Sequence, residues 1–136
     1  MEKLRGLSLF SNVGVAESGI ENNKNIRICL ANEIDHKRCQ FYSAVHPKTR
    51  MIEGDITNDN LRTLIIEEAK NLNINFVIAT PPCQGMSEAG NRLEFDERNE
   101  LIYYAVDVIK RLKPSFAIIE NVPTILKTKI KYNGLV

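Results

Sequence analysis

The chain has 136 residues, of which 43% are hydrophobic and 26% charged, and these values indicate one soluble globular domain. The net charge of +1 is not the strongly basic balance typical of a dedicated nucleic-acid-binding domain. The apolar runs are short, the amino terminus lacks signal-peptide features, and the three cysteines include no C-x-x-C pair. These features predict a cytoplasmic protein with no membrane span, disulfide framework or metal site.

Apolar runs alternate with amphipathic segments along the whole chain. Asp35 is a good N-cap for the second helix, and Asn58 or Asp59 for the third, whose predicted apolar face is Leu61, Leu64, Ile65, Ala69 and Leu72. Strands are predicted at 7–10, 26–33, around 51–52, 75–80 and 115–119, and helices at 15–22, 36–45, from 58 or 59 to about 72, and 99–113. This alternation predicts an α/β fold, a doubly wound and mostly parallel sheet of order 3-2-1-4-5. Such sheets bind ligands beyond the carboxyl ends of their strands.

The first three predicted strands end in residues suited to an adenosine-like ligand. Phe10 can pack against an adenine, although a core phenylalanine is an equal alternative. Glu33 is placed to accept hydrogen bonds from ribose hydroxyls, and Asp55 with Ile56 can bond and cover an adenine. The turn from Phe10 to Gly14 lacks G-x-G-x-x-G, which argues against a dinucleotide. Adenosine contacts without a phosphate cradle point toward S-adenosylmethionine.

The last two predicted strands end in residues suited to covalent catalysis. Cys83 is the first side chain after the Pro81-Pro82 turn that follows strand four, which predicts a nucleophilic thiol at the mouth of the sheet. Glu120 ends strand five and is a candidate acid. Cys29 and Cys39 lie in an apolar run and on a helix, so they are expected to be buried structural thiols.

Six short segments resemble, in order and spacing, motifs of the cytosine-C5 DNA methyltransferases. These segments are Ser8 to Gly14, Ala31 to Asp35, Gly54 to Ile56, Pro81 to Gly85, Arg98 to Leu101 and Glu120 to Val122. The fourth segment, with its Pro-Pro-Cys-Gln-Gly sequence, is the most specific, and the sixth supports it. The resemblance covers nearly the whole chain and implies a Rossmann-like methyltransferase fold.

The resemblance also implies roles for individual residues. Cys83 would add to C6 of a cytosine flipped out of a DNA duplex, and Glu120 would assist at N3, as in a restriction-modification enzyme. The implied cofactor is S-adenosylmethionine, leaving as S-adenosylhomocysteine, with contacts from Phe10, Ser11, Asn12, Val13, Gly14, Glu33, Ile34, Asp55, Ile56, Pro81 and Leu101. The implied base and DNA contacts are Pro81, Gln84, Ser87, Arg92, Asn121 and Val122.

The chain departs from the family pattern in two ways. Asn12 and Val15 replace glycines of the first motif; Asn12 is expected to preserve the turn because asparagine tolerates positive φ, and Val15 to crowd the methionine part of the cofactor. The later motifs and the target-recognition region are absent from residues 1–136, so we expect these residues to form only the cofactor-binding and catalytic part of a methyltransferase domain. Apolar strand five then becomes an edge that predicts self-association or a complementary C-terminal subunit, the main alternative being that the tail from Thr124 to Val136 folds back over it.

Other functions stay open at this stage. Amino-methyltransferases resemble [DN]-P-P-[YF], and Cys83 in the place of the aromatic argues against them. A tRNA cytosine-C5 methyltransferase shares Pro-Pro-Cys-Gln, and the acceptor-reading region that would separate RNA from DNA is missing. The non-enzyme alternative is a truncated chain or subunit that binds cofactor or a partner without turnover.

Overall fold

A computed structural model describes residues 3–82 and 100–120 of the chain. The described residues form strands β1 (Leu4–Leu9), β2 (Ile26–Glu33), β3 (Arg50–Glu53), β4 (Phe76–Ala79) and β5 (Phe116–Ile119), and helices α1 (Val15–Ile20), α2 (His36–Val45), α3 (Asp59–Asn71) and α4 (Leu101–Leu112). Strands and helices alternate strictly along the chain, as the sequence predicts.

All five strands are parallel and lie in the order β3-β2-β1-β4-β5, which confirms the predicted topology. Leu9 at the end of β1 is opposite Asn32 of β2 on one side and Ala79 of β4 on the other. Ala79 is in turn opposite Ile119 of β5. The carboxyl ends of neighbouring strands are therefore level, and the loops that follow them share one edge of the sheet.

Helices cover the sheet on both faces. Ile65, Ile66 and Ala69 of α3 and Ala105 and Val108 of α4 are buried in the main apolar cluster together with alternate residues of the central strands. Ile20 of α1 packs on a second cluster on the opposite face. Right-handed connections place α1 and α2 on one face and α3 and α4 on the other, because the chain moves toward β3 first and then back toward β5.

The predicted helix boundaries have clear causes. The Asp35 carboxylate accepts a hydrogen bond from the Arg38 backbone N–H at 2.9 Å, and this bond lowers the pKa of Asp35. Asn58, not Asp59, caps α3 by accepting from the N–H groups of Asn60 and Leu61. Lys113 ends α4 in a left-handed conformation, immediately before Pro114. Both predicted N-caps are therefore in place.

Several predicted boundaries shift by a few residues. Strand β1 begins at Leu4, three residues earlier than predicted. The charged Arg5 is accommodated within the strand because its Nε donates to the Leu72 carbonyl at 2.7 Å. Phe10 is not a strand residue, since its φ of 56° turns the chain out of the sheet. Helix α1 ends at Ile20, two residues short of the prediction.

The predicted core face of α3 is confirmed at Leu61, Ile65, Ala69 and Leu72, which pack in or against the main cluster. Individual residues of α3 and α1 nevertheless differ from what hydrophobicity suggests. Leu64, predicted on the core face of α3, is 45% exposed, whereas the charged Arg62 and the apolar Ile66 are buried. In α1, Val15 is 76% exposed and Glu17 is fully buried, with its carboxylate accepting a hydrogen bond from the Ser8 hydroxyl. In both helices a charged side chain is buried because neighbouring elements offer it polar partners, a fact that periodicity cannot show.

Cys29 and Cys39 are buried and not disulfide-bonded, as predicted. Cys39 Sγ donates to the Glu33 carbonyl, and burial together with nearby carboxylates raises its pKa to about 11. It is thus an unreactive thiol at neutral pH. No helix within residues 3–82 and 100–120 has both the length and the apolar character needed to cross a membrane.

Candidate functional site

A cavity of about 300 Å³ opens at the carboxyl edge of the sheet, beside the ends of β1, β2 and β3. This volume lies at the lower end of small-molecule sites, roughly 300 to 1,000 Å³. The cavity is lined by Phe10, Asn12, Asn32, Glu33, Ile34, Arg38, Gly54, Asp55, Ile56, Thr80, Pro82 and Leu101. Seven of these twelve residues are among the cofactor contacts that the resemblance implies.

Glu33 is the most constrained acid of the cavity. Its side chain is buried, with 5% of the residue exposed, so Glu33 is not a solvated strand end. One carboxylate oxygen accepts the Asn12 backbone N–H at 2.8 Å, and the other accepts those of Ile34 and Asp35, each at 3.0 Å. A carboxylate has about four acceptor positions, so roughly one remains for a ligand hydroxyl. Glu33 therefore joins the turn after β1 to the end of β2.

The turn between β1 and α1 depends on left-handed backbone conformations. Phe10 and Asn12 have φ values of 56° and 51°, and Gly14 has 83°. The prediction that Asn12 preserves a glycine-like turn is therefore confirmed. A Cβ at Gly14 would lie 2.5 Å from Nε2 of the buried His46, so only glycine fits there without movement. The carbonyl of Gly14 also faces His46 Nε2 at 3.2 Å.

The wall after β3 is held by a residue that the sequence did not single out. Asn32 is buried, and its side-chain amide donates to the carbonyls of Ile52 at 2.8 Å and Gly54 at 3.2 Å. Asp55 is exposed and accepts the Thr57 N–H, while Ile56 is buried in the main cluster with part of its surface facing the cavity. This wall thus presents an acid and an aliphatic side chain next to each other.

Some implied cofactor contacts do not line the cavity. Ser11 is buried beneath the turn, Gly14 is packed against His46, and Val13 and Pro81 lie outside the lining as well. Their roles toward a cofactor stay predictions. The sequence did not identify five lining residues: Asn32, Arg38, Gly54, Thr80 and Pro82. Asn32, Gly54 and Pro82 stand inside recognised motifs, which was a usable signal; Arg38 on α2 offered none.

The ends of β4 and β5 lie side by side at the same edge. The Glu120 N–H donates to the Ala79 carbonyl at 2.9 Å. The Thr80 N–H donates to the Leu9 carbonyl, and the Thr80 hydroxyl donates to the Phe10 carbonyl. Glu120 is exposed. The predicted positions Cys83, Gln84, Ser87, Arg92, Asn121 and Val122 lie outside the described residues.

The residues that line the cavity fit an adenosine-like group better than a phosphate. Phe10, Ile56 and Leu101 offer apolar surface for a flat base, and Glu33 and Asp55 offer acceptors for hydroxyl and amino groups. Among the lining residues that the structure describes, Arg38 is the one cation against these two acids, and no Gly-rich phosphate loop follows β1 in the sequence. The residues present therefore fit S-adenosylmethionine, whose charged end is an amino acid and not a phosphate.

Comparison with known proteins gives a consistent result. Residues 4–134 match the family model of the C-5 cytosine-specific DNA methylases. The Type II methyltransferase M1.HgaI of Avibacterium volantium is 39% identical over 134 residues, which are 95% of this chain and 37% of that protein. The Type II methyltransferase M.NgoPII of Neisseria gonorrhoeae is 37% identical over 131 residues, 96% of this chain and 36% of that protein.

A solved structure also matches. A prophage-encoded E. coli protein, described as a DNA modification methyltransferase, superposes with a TM-score of 0.72 at 29% identity, over 91% of this chain and 33% of that one. The chain thus spans about a third of the length of each of these three proteins.

Proposed function

Because the chain belongs to the C-5 cytosine-specific DNA methylase family, we propose that it provides the cofactor-binding and catalytic part of an enzyme that methylates C5 of cytosine in DNA. The enzyme would belong to a restriction-modification system and use S-adenosylmethionine. One observation carries the proposal: the cavity beside β1, β2 and β3 opens at the same edge where β4 ends, shortly before Cys83 in the sequence, and where Glu120 follows β5.

The cofactor's adenosine would occupy the cavity. Glu33 has about one free acceptor position, which suits a ribose hydroxyl, and Ile34 lies beside it. Phe10 and Ile56 would cover the faces of the adenine, and Asp55 would accept from its amino group. Leu101 at the start of α4 closes the opposite side. The turn of Ser11, Asn12, Val13 and Gly14, with Pro81, would border the methionine part.

Cys83 is the proposed nucleophile. A free thiol has a pKa of about 8.5, so only a small fraction is thiolate at neutral pH and the group must be activated. The thiolate would add to C6 of the cytosine, and the electron pair would then collect at C5. The bound cofactor supplies an electrophilic methyl group to that carbon. Loss of the C5 proton and elimination of Cys83 would restore the ring and the free thiol.

Glu120 is the proposed acid of this addition. Hydrogen bonding or protonation at cytosine N3 withdraws electrons from C6 and favours attack by the thiolate. Positioned general acids contribute roughly 10² to 10⁴-fold to a rate. Glu120 is exposed and its backbone is fixed to β4 through the Ala79 carbonyl, which supports a group that meets an incoming base.

The DNA contacts are proposed from the motif positions. Pro81, Asn121 and Val122 would wall the pocket of the flipped-out base, and Gln84, Ser87 and Arg92 would contact base or backbone. Extrusion of a base costs a few kcal/mol, which such contacts must offset.

The exposed face of β5 supports a proposed protein partner. Phe116 and Ile118 are 60% and 52% exposed, and all four strand residues are exposed. An apolar edge strand without charge or proline pairs readily with another chain. We propose that a complementary C-terminal polypeptide or a second copy of the chain binds along this edge.

A covalent trap tests the enzymatic proposal. A DNA duplex with 5-fluorocytosine at the target cannot lose a proton from C5, so the Cys83 adduct should accumulate when S-adenosylmethionine is present. The chain would be assayed alone and together with a polypeptide that carries the family's remaining motifs, and Cys83→Ser serves as the control. We expect the adduct only when Cys83 and the added polypeptide are both present. We expect no sequence-specific methylation by the chain alone.

The same assay separates the alternatives. An adduct with Cys83→Ser would refute the proposed nucleophile. Cofactor binding in calorimetry without any adduct would favour a non-catalytic cofactor-binding subunit. An adduct formed only with a 5-fluorocytosine-containing tRNA would favour a tRNA cytosine-C5 methyltransferase.

A further inference from the structure

Arg62 is a buried arginine on α3 that contacts three separate segments. Its Nη1 donates to the carbonyls of Ile56 and Thr57, both at 2.8 Å. Its Nε donates to the Asp107 carboxylate of α4 at 2.9 Å, and its Nη2 to Asp59 at 3.1 Å. The guanidinium carbon lies 4.9 Å from the centroid of the Tyr104 ring. The side chain is thus bonded to the loop after β3, to the start of α3 and to α4.

The chemistry of this contact needs an arginine. The two carbonyls at the end of the loop after β3 require donors because they are turned toward the protein interior. A planar guanidinium offers five N–H donors in fixed directions, whereas a lysine ammonium is a point charge on a flexible stem. Burying a charge is costly, and paired carboxylates and full hydrogen bonding are what offset that cost. The arrangement therefore fixes positions more than it adds stability.

The segments joined by Arg62 are walls of the cavity. Gly54, Asp55 and Ile56 line it from the loop after β3, and Leu101 lines it from the first turn of α4. Arg62 itself does not line the cavity. Its bonds to the two carbonyls hold the wall formed by the loop after β3. Its bond to Asp107 holds α4, which carries the other wall. The distance between the two walls is therefore coupled to this one side chain.

We propose that Arg62 is a positioning residue for the cofactor: it holds the Asp55–Ile56 wall against α4 at the spacing that the adenosine part requires. This inference rests on the proposed use of the cavity for S-adenosylmethionine. Arg62 touches neither cofactor nor base, so its effect is exerted through the loop and through α4.

The chain offers a matched control in Arg111. This arginine bonds the same two carboxylates, Asp59 and Asp107, each at 3.3 Å, and Thr63 Oγ1 at 2.8 Å. The structure gives it no bond to the loop carbonyls. Arg62→Lys and Arg111→Lys each keep the charge and remove the guanidinium fork, but only the first change affects the loop.

The experiment is calorimetric titration of the 136-residue chain with S-adenosylhomocysteine, accompanied by thermal unfolding of each variant. We expect Arg62→Lys to weaken the affinity about tenfold at a temperature well below unfolding, and Arg111→Lys to leave it unchanged. Equal affinities in the two variants, whatever their melting temperatures, would overturn the proposal, because a merely structural role lowers stability without changing affinity in the folded state.

Two further measurements keep the test decisive. Asp107→Ala removes the acceptor on α4 and retains the loop bonds. It should weaken binding less than Arg62→Lys, and it replaces that variant if the lysine variant does not fold. Amide exchange at Thr57 and Asn58 reports on the loop without ligand and should rise in Arg62→Lys alone. If the wild-type chain binds no S-adenosylhomocysteine, the proposed function fails, and unchanged exchange in Arg62→Lys separately overturns the positioning role.

Discussion

Two glutamates at the carboxyl edge of this sheet, one at the end of β2 and one immediately after β5, differ in burial and in hydrogen bonding. Glu33 at the end of β2 is buried and bonded to three backbone N–H groups. Glu120, after β5, is exposed at the end of a strand whose four residues are all exposed. The proposed cofactor side of the edge is therefore built from contacts within the described residues. The proposed catalytic side leaves its carboxylate and an apolar strand exposed.

This difference in burial and bonding indicates that the two proposed halves of the edge need different partners. A carboxylate that is fixed by the backbone can present a preorganised acceptor to a small ligand. An exposed carboxylate gains its catalytic setting only when base, DNA or a second polypeptide covers it and removes water. Four predictions follow from this contrast, and each changes one half while leaving the other intact.

The largest effect is expected on the catalytic half. Glu120→Gln keeps the size of the side chain and removes its acidity, so the methyl-transfer rate of a preparation that passes the trapping test should fall roughly 10² to 10⁴-fold. The affinity for S-adenosylhomocysteine should stay the same, because Glu120 does not line the cavity. Single-turnover kinetics and calorimetry measure the two quantities. A variant with wild-type turnover would show that Glu120 is only a strand end.

On the cofactor half, Glu33→Ala removes an acceptor from three backbone N–H groups as well as from the ligand. We expect S-adenosylmethionine and S-adenosylhomocysteine to bind more weakly by about 1–3 kcal/mol each, and the unfolding free energy to fall by a similar amount. Calorimetry and urea denaturation give both values.

A neighbouring acid supplies the control for Glu33. Asp35→Ala removes the N-cap of α2, which should cost about 0.5–2 kcal/mol of stability. Asp35 does not line the cavity, so ligand affinity should be unchanged. Unaltered affinity in Glu33→Ala, or an equal loss in both variants, would contradict the ribose role.

A charge on the exposed strand tests whether β5 is a pairing edge. Ile118→Lys places an ammonium group within the apolar run, and charged residues on edge strands oppose pairing with other chains. We expect wild-type chains to self-associate with rising concentration in sedimentation, and the variant to stay monomeric. Amide exchange over residues 116–119 should slow with concentration in the wild type alone.

Leu64→Lys is the matched control for β5, because Leu64 is a similarly exposed apolar residue on α3. Its association should equal that of the wild type. A strictly monomeric wild-type chain whose β5 amides exchange rapidly would count against edge pairing.

The smallest effect concerns the turn after β1, which lies on the cofactor half. Asn12 has a φ of 51° and donates its N–H to Glu33. Asn12→Gly should change the unfolding free energy by no more than about 0.5 kcal/mol, since glycine adopts positive φ without strain. Asn12→Val should lose about 1–2 kcal/mol, because a branched side chain opposes that conformation. Equal urea midpoints for the two variants would show that the turn tolerates either residue.

The order of the strands could be predicted from the sequence because it depends on local signals and one chirality rule. Apolar runs, caps such as Asp35 and stops such as Pro114 divide the chain into alternating elements, and right-handed connections then fix the order β3-β2-β1-β4-β5. The placement of Phe10, Glu33 and Asp55 at one edge follows from that order, since parallel strands end together. Short-range chemistry was sufficient for all of this.

The tertiary structure decided which polar side chains are buried and what they bond. Arg62, Asn32 and Glu17 are polar residues that hydrophobic periodicity places on the surface, yet each is buried with a partner at least nine residues away in the sequence. Burial of a charge is favourable only where such partners converge, and that convergence exists only after the elements have packed. The sequence alone therefore determined the sheet and its carboxyl edge, and packing determined the supports that hold the walls of the cavity in place.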